Sequence, residues 1–147
     1  MNIKDFIQNN PYRILGAFTT DSPGILSSRI SKIKAFASIG KSAAFPQDMT
    51  CVFGAEADRS AVNVAVSMAA ISLPKERLLN GLFWFMNLTE TDAGALAALA
   101  QGGDPLEARK IWEGGVQNMS ALQNQLMCCL LKDPRSYSKA IQVAWNL

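Results

Sequence analysis

The sequence of 147 residues contains no histidine. That absence removes the commonest general base and metal ligand, and with them every Ser-His or Cys-His nucleophile pair. A zinc enzyme loses its usual donor too. Cysteine is scarce: Cys51, Cys128 and Cys129 form an odd set without regular spacing. The adjacent pair would diverge by about 100° on a helix, so all three read as reduced thiols of a cytosolic protein. Charge is thin as well. Fourteen basic and 12 acidic residues leave a net +2, too little to point to nucleic acid by composition. No apolar run reaches the ~18 residues a bilayer crossing needs, and MNIKDFIQNNPYR lacks an apolar secretory core. A soluble, cytoplasmic protein is the expectation. What the chain has is apolar bulk, 49% hydrophobic against 18% charged residues. That argues for a packed core and against disorder, at a length that suits one compact domain or two very small ones. The final AIQVAWNL sits inside an apolar pattern with no glycine cap or polar tail, which suggests a fragment of something longer.

Nearly every segment reads as helix, so the fold class expected is all-α. In Asn10-Pro11-Tyr12-Arg13-Ile14-Leu15-Gly16, Asn10 can cap, Pro11 suits the first helical position and Gly16 can stop the turn. In DSPGILSSRISKIKAFASIG, Asp21 or Ser22 is a good cap. Leu26, Ile30, Ile33 and Ala37 recur there at helical spacing, with Arg29, Lys32 and Lys34 around them. Residues 41–58 read as a long loop, pinned by Phe45, Val52 and Phe53 and long enough to hint at function. Ser60 caps AVNVAVSMAAISL, whose stripe Val62, Val66, Ala69 and Leu73 is expected to be buried. Pro74 opens KERLLNGLFWFMN, with Leu78, Leu82, Phe85 and Met86 facing inward and Trp84 pointing elsewhere. Four shorter helices follow, started by Thr91 or Asp92, by Pro105, by Ser120, and by Pro134 or Ser136. They form two antiparallel pairs, in which Ala97, Ala100 and Ala108 permit close approach. The contexts EARKIW and KAIQVAW lie about 33 residues apart, near the tetratricopeptide period of 34.

Residues 35–42, AFASIGKS, fit a relaxed phosphate-loop pattern through Ala35, Gly40, Lys41 and Ser42. A phosphate loop needs a strand before it and a helix after it, so that helix-start amides face the anion. Here a helix precedes Gly40, and Gly-Lys-Ser lies at its negative end. The stretch therefore reads as a left-handed helix cap.

The order of the first half resembles a J domain, the co-chaperone module of heat-shock ATPase chaperones. Asn10 to Gly16 is similar to that family's first helix. A basic second helix carries Arg29, Lys32 and Lys34, with Lys41 beyond it. The stretch Ala69-Ala70-Ile71-Ser72-Leu73-Pro74-Lys75-Glu76-Arg77 looks like the family's third-helix close. The similarity covers about residues 9–85. J domains act through a His-Pro-Asp triplet between helices two and three, and this chain has only Pro46-Gln47-Asp48. The resemblance implies a J-like scaffold without standard ATPase stimulation. With Leu82-Phe83-Trp84-Phe85 and the helices after it, the chain looks like a group of bacterial proteins that join such a segment to helical repeats. The organisation implied is a J-domain-like module over 1–88 and a helical-repeat-like extension over 89–147.

The residues then suggest a non-catalytic module that binds protein, chaperone-associated or adaptor-like. Arg29, Lys32, Lys34, Lys41, Pro46 and Asp48 are its candidate partner-binding residues, and an acidic partner would suit them. Trp84 and Trp145 are candidate association-surface residues, with self-association expected through the C-terminal helices. Nucleic-acid binding by the same basic helix is the alternative, but no aromatics are interleaved with its charges. Catalysis is not expected. Asp48, Glu56, Asp58, Glu76, Glu90, Asp92 and Glu107 form no paired-acid or metal spacing, and most sit at helix starts, where they complement the dipole. No cofactor or metal is expected.

Overall fold

The computed structural model describes residues 3–132. Among the described residues every regular element is helical. In chain order these are α1 (Ile3–Gln8), α2 (Pro11–Ile14), α3 (Pro23–Ser38), a 3₁₀ turn (Pro46–Asp48), α4 (Thr50–Phe53), α5 (Ala61–Ala70), α6 (Pro74–Gly81), α7 (Glu90–Ala100), α8 (Pro105–Glu113) and α9 (Met119–Lys132). No helix among the described residues is long and apolar enough to cross a membrane.

The starts follow local chemistry. Asn10 Oδ1 accepts the Tyr12 amide at 2.9 Å, and Ser22 and Ser60 accept the amides of Ile25 and Asn63. Thr89 and Asp92 form a reciprocal capping box at the head of α7, and Asp104 caps α8 ahead of Pro105. Each such cap satisfies an otherwise orphaned helix-start donor, worth about 1 kcal/mol. α3 ends as expected. Gly40 has φ +72°, its amide reaches Ala37 O, and the Lys41 amide reaches back to Phe36 O at 2.9 Å. That double bond pattern is a Schellman close, so Gly-Lys-Ser follows a helix rather than preceding one.

Three expectations need correction. The segment 41–58 is not structureless, since it holds the 3₁₀ turn and α4, the latter closed by Gly54 at φ +72°. Helix α6 stops at Gly81, and residues 82–88 cross the core in a non-helical conformation. Their backbone is held from both sides. Asn10 Nδ2 donates to Phe83 O and the Thr19 amide to Phe85 O. From α9, Gln123 Nε2 donates to Leu82 O and Trp84 O, while Asn124 exchanges two bonds with Met86. Third, the stripe expected to be buried on α5 is exposed: Val62 is 71% accessible, Val66 62% and Leu73 59%. The buried side is Val64, Ser67 and Ile71. α5 carries apolar residues on two faces, and it packs against α2. The inward assignment also fails for Leu78 and Leu82, both exposed, and holds for Phe85.

A single cluster of buried side chains runs from Ile7, Leu15 and Ile33 through Trp84 and Phe85 to Leu96, Leu99, Trp112 and Met127. It draws on both sides of residue 88. α7, α8 and α9 pack in succession. Trp112 of the EARKIW context is buried and donates to Asp92 Oδ1 at 2.8 Å. Trp145 and the helix expected near Pro134 lie outside the described residues.

Candidate functional site

The turn after α3 is organised around Phe45, whose ring lies against Gly16. Gly16 has φ +66°, and a Cβ there would collide with the ring. Three cations surround the same ring: Arg59 Cζ at 4.7 Å from its centroid, Lys32 Nζ at 4.9 Å and Arg29 Cζ at 5.2 Å. Such contacts are electrostatically favourable within about 6 Å. Just beyond the ring, Asp48 is 3% accessible. Its carboxylate accepts the Phe45 amide at 3.1 Å and pairs with Arg59 through both guanidinium nitrogens.

Arg59 uses all five of its donors. Nε binds Ile14 O, and the two terminal nitrogens bind Ala43 O, Arg13 O and the Asp48 carboxylate. Arg13, also buried, donates from Nε and Nη2 to Asp48 O, from Nη2 to Ala55 O and from Nη1 to Gln8 O. Burial pushes the Arg13 guanidinium down from its ordinary value; Asp48 opposes this and Arg59 adds to it. The two arginines thus pin the 41–58 segment to α2. Every one of these groups is hydrogen-bonded inside the protein, and together they form a clamp.

The structure sorts the expected partner-binding residues into two groups. Lys32, Lys34, Lys41 and Pro46 are exposed and Arg29 is half-buried. Asp48 is withdrawn into the core by Arg59, so it is not a surface residue. Trp84 is 0% accessible. Its Nε1 donates to Ala17 O at 2.8 Å, and its ring meets Phe53 and Phe85. It therefore offers no association surface. Trp145 lies outside the described residues. None of the four ion pairs among the described residues engages Arg29, Lys32, Lys34 or Lys41.

Alongside these cations runs an apolar groove of about 210 Å³ between α3 and α5. Ile33, Ala37, Val64, Ala65 and Met68 line it, with Lys34 and Arg59 at its edge. On the helix surface Ala65 neighbours Val62 and Ala69, three and four residues away. The groove therefore opens onto the exposed α5 stripe. Residues 60–74, SAVNVAVSMAAISLP, carry no charge at all. A second apolar recess of about 330 Å³ lies beside α6, between Tyr12, Pro74, Leu78 and Leu82. Sequence reasoning missed the α5 surface because it assigned those valines to the core. It missed Arg13 and Arg59 because nothing local marks them.

The C-terminal half holds a second polar centre. Asp92 accepts the Leu88 and Thr89 amides, Trp112 Nε1 and Asn124 Nδ2. Burial works against its anion, but hydrogen bonds from Ser120, Leu88, Trp112 and Thr89 outweigh burial and hold its carboxyl below the usual range. Cys51 is exposed, whereas Cys128 and Cys129 are buried, and burial pushes the Cys128 thiol far up. Among the described residues no three His, Cys, Asp or Glu side chains are grouped so as to hold a metal ion. The chain matches no family model, no curated protein and no solved structure.

Proposed function

We propose that this chain is a non-catalytic protein-binding module, adaptor-like or chaperone-associated, in which α3 and α5 act as a J-domain-like hairpin and α7–α9 as a repeat-like extension. One observation carries the reading: a charge-free stretch with Val62 and Val66 of α5, and Leu73 just beyond it, in water, beside a helix whose cations form no ion pair among the described residues. An exposed apolar patch bordered by polar groups is a common mark of a protein contact surface. On this reading the cations steer and orient an acidic partner, and the α5 face supplies the area. The segment at Pro46-Gln47-Asp48 offers no histidine, and its aspartate is engaged by Arg59. The module therefore does not stimulate a heat-shock ATPase in the usual J-domain manner. Nucleic acid is a poorer fit, because the aromatics near the cations, Phe36 and Phe45, are covered by them rather than open for stacking.

The test is affinity capture with the full chain across a salt series, comparing the native protein with a Lys32→Glu/Lys34→Glu variant. The reading expects a partner lost with rising salt and lost in the variant. No salt-sensitive partner, or identical capture by the variant, counts against it. So does stimulation of a heat-shock ATPase, or retardation of RNA or DNA at physiological salt.

A further inference from the structure

The groove between α3 and α5 has a two-sided chemistry that narrows what can occupy it. Its floor is aliphatic, from Ile33, Ala37, Val64 and Met68. Its α5 lip continues into the uncharged stripe of Val62, Val66 and Ala69. Its α3 lip carries Lys34. Residues 22–47 contain Arg29, Lys32, Lys34 and Lys41 and no acidic residue. That short stretch carries twice the net charge of the whole chain, so the rest of the protein is net acidic. A rod-shaped occupant lying along α5 would bury one apolar face and turn one flank toward those cations. An amphipathic helix has that shape, and laying its apolar stripe into such a groove is a recurring mode of recognition.

Resting on the protein-binding reading, we propose that the α3–α5 groove seats a single amphipathic helix of a partner protein, with its apolar face on Ala65 and Met68 and a carboxylate-bearing flank against Lys34. A second copy of this chain is the weaker occupant. Residues 22–47 of a second copy would bring the same four cations and no acid of their own to match those already there. A neutral or basic helix would leave the cationic lip unmatched and would be disfavoured by repulsion.

The experiment uses the full chain and two synthetic helical peptides with the same leucine face, one flanked by glutamates and the other by lysines. Binding is read by calorimetry and by amide-resonance shifts. The glutamate peptide is expected to bind at least about tenfold more tightly at low salt, with the gap closing as the Debye length shrinks to about 3 Å near 1 M salt. Shifts are expected at Ile33, Ala37, Val64, Ala65 and Met68. Ala65→Glu, at an exposed position, should weaken binding at least about tenfold without changing the melting temperature. Lys34→Glu should weaken it about fivefold. Val116→Gln, at a remote exposed site, should change nothing. Equal affinity for both peptides, shifts mapping elsewhere, binding indifferent to Ala65→Glu, or no binding of either peptide overturns the proposal. Sedimentation that finds a dimer dispersed by Val66→Glu also overturns it, while leaving the protein-binding reading intact. Loss of the salt-sensitive capture as well would remove both.

Discussion

Replacing Asp48 by Asn tests the clamp that holds the 41–58 segment. The substitution keeps size and one acceptor oxygen but removes the charge that Arg59 pairs with. The Arg59 side chain is 2% accessible and that of Asp48 5%, so the stranded guanidinium has no water to turn to. Arg13, a second buried cation, adds to the imbalance. Removing one member of a buried pair costs about 3–5 kcal/mol, against a total stability of roughly 5–15 kcal/mol for a single domain. For a chain of this size the midpoint of thermal unfolding should fall by about 10–15 °C. Circular dichroism melts at pH 7 read this directly. A double-mutant cycle with Arg59→Met then isolates the pair. Arg59→Met alone is also harmful, because Ile14 O, Ala43 O and Arg13 O lose their donor. The double variant should nevertheless cost about 2 kcal/mol less than the sum of the single ones. An Asp48→Asn protein melting within about 3 °C of the native one, or strict additivity in the cycle, would refute the reasoning.

Other outcomes follow from single features. Gly16→Ala places a Cβ in the Phe45 ring at a left-handed backbone angle; it should destabilise by about 3 kcal/mol or more in urea titrations. Asp92 has a folded-state pKa below its unfolded value near 3.9, so its contribution is complete above about pH 4 and fades as pH falls through the lower folded value. Asp92→Asn should flatten that acid limb of a stability-against-pH curve, and an unchanged limb would assign it to other carboxyls. In the native protein only Cys51 should react promptly with a thiol reagent, Cys128 and Cys129 following only on unfolding; three prompt equivalents would contradict the packing of α9. Trp84→Phe leaves Ala17 O without its donor and should cost about 1–3 kcal/mol by denaturant melts.

The helical class and most helix starts were legible because caps act within three or four residues. Asn10, Ser22 and Ser60 each bond an amide two or three positions ahead, and Gly40 closes α3 over a similar span; the start of α7 was placed two residues late, because its cap is Thr89 and Asp92 is the partner in the capping box. The clamp was not legible for the opposite reason. Arg13 meets Asp48 across 35 positions and Arg59 meets Arg13 across 46, and no local periodicity encodes such distances. The face of α5 was misread since its sequence offers two apolar stripes. Which is covered depends on α2, a four-residue helix from the far end of the chain. The halt of α6 at Gly81 was missed because Leu82 to Met86 suits a helix by composition. The amides of Gln123 and Asn124, about 40 positions later, draw that stretch out of one.

Residues 82–88 lie like a wire soldered at both ends, to Asn10 and Thr19 on one side and to the side-chain amides of α9 on the other. A gene divided near residue 88 would therefore yield two pieces, each incomplete without its counterpart. Co-expressed, they should re-anneal around that wire, and the separate first piece should be prone to precipitate.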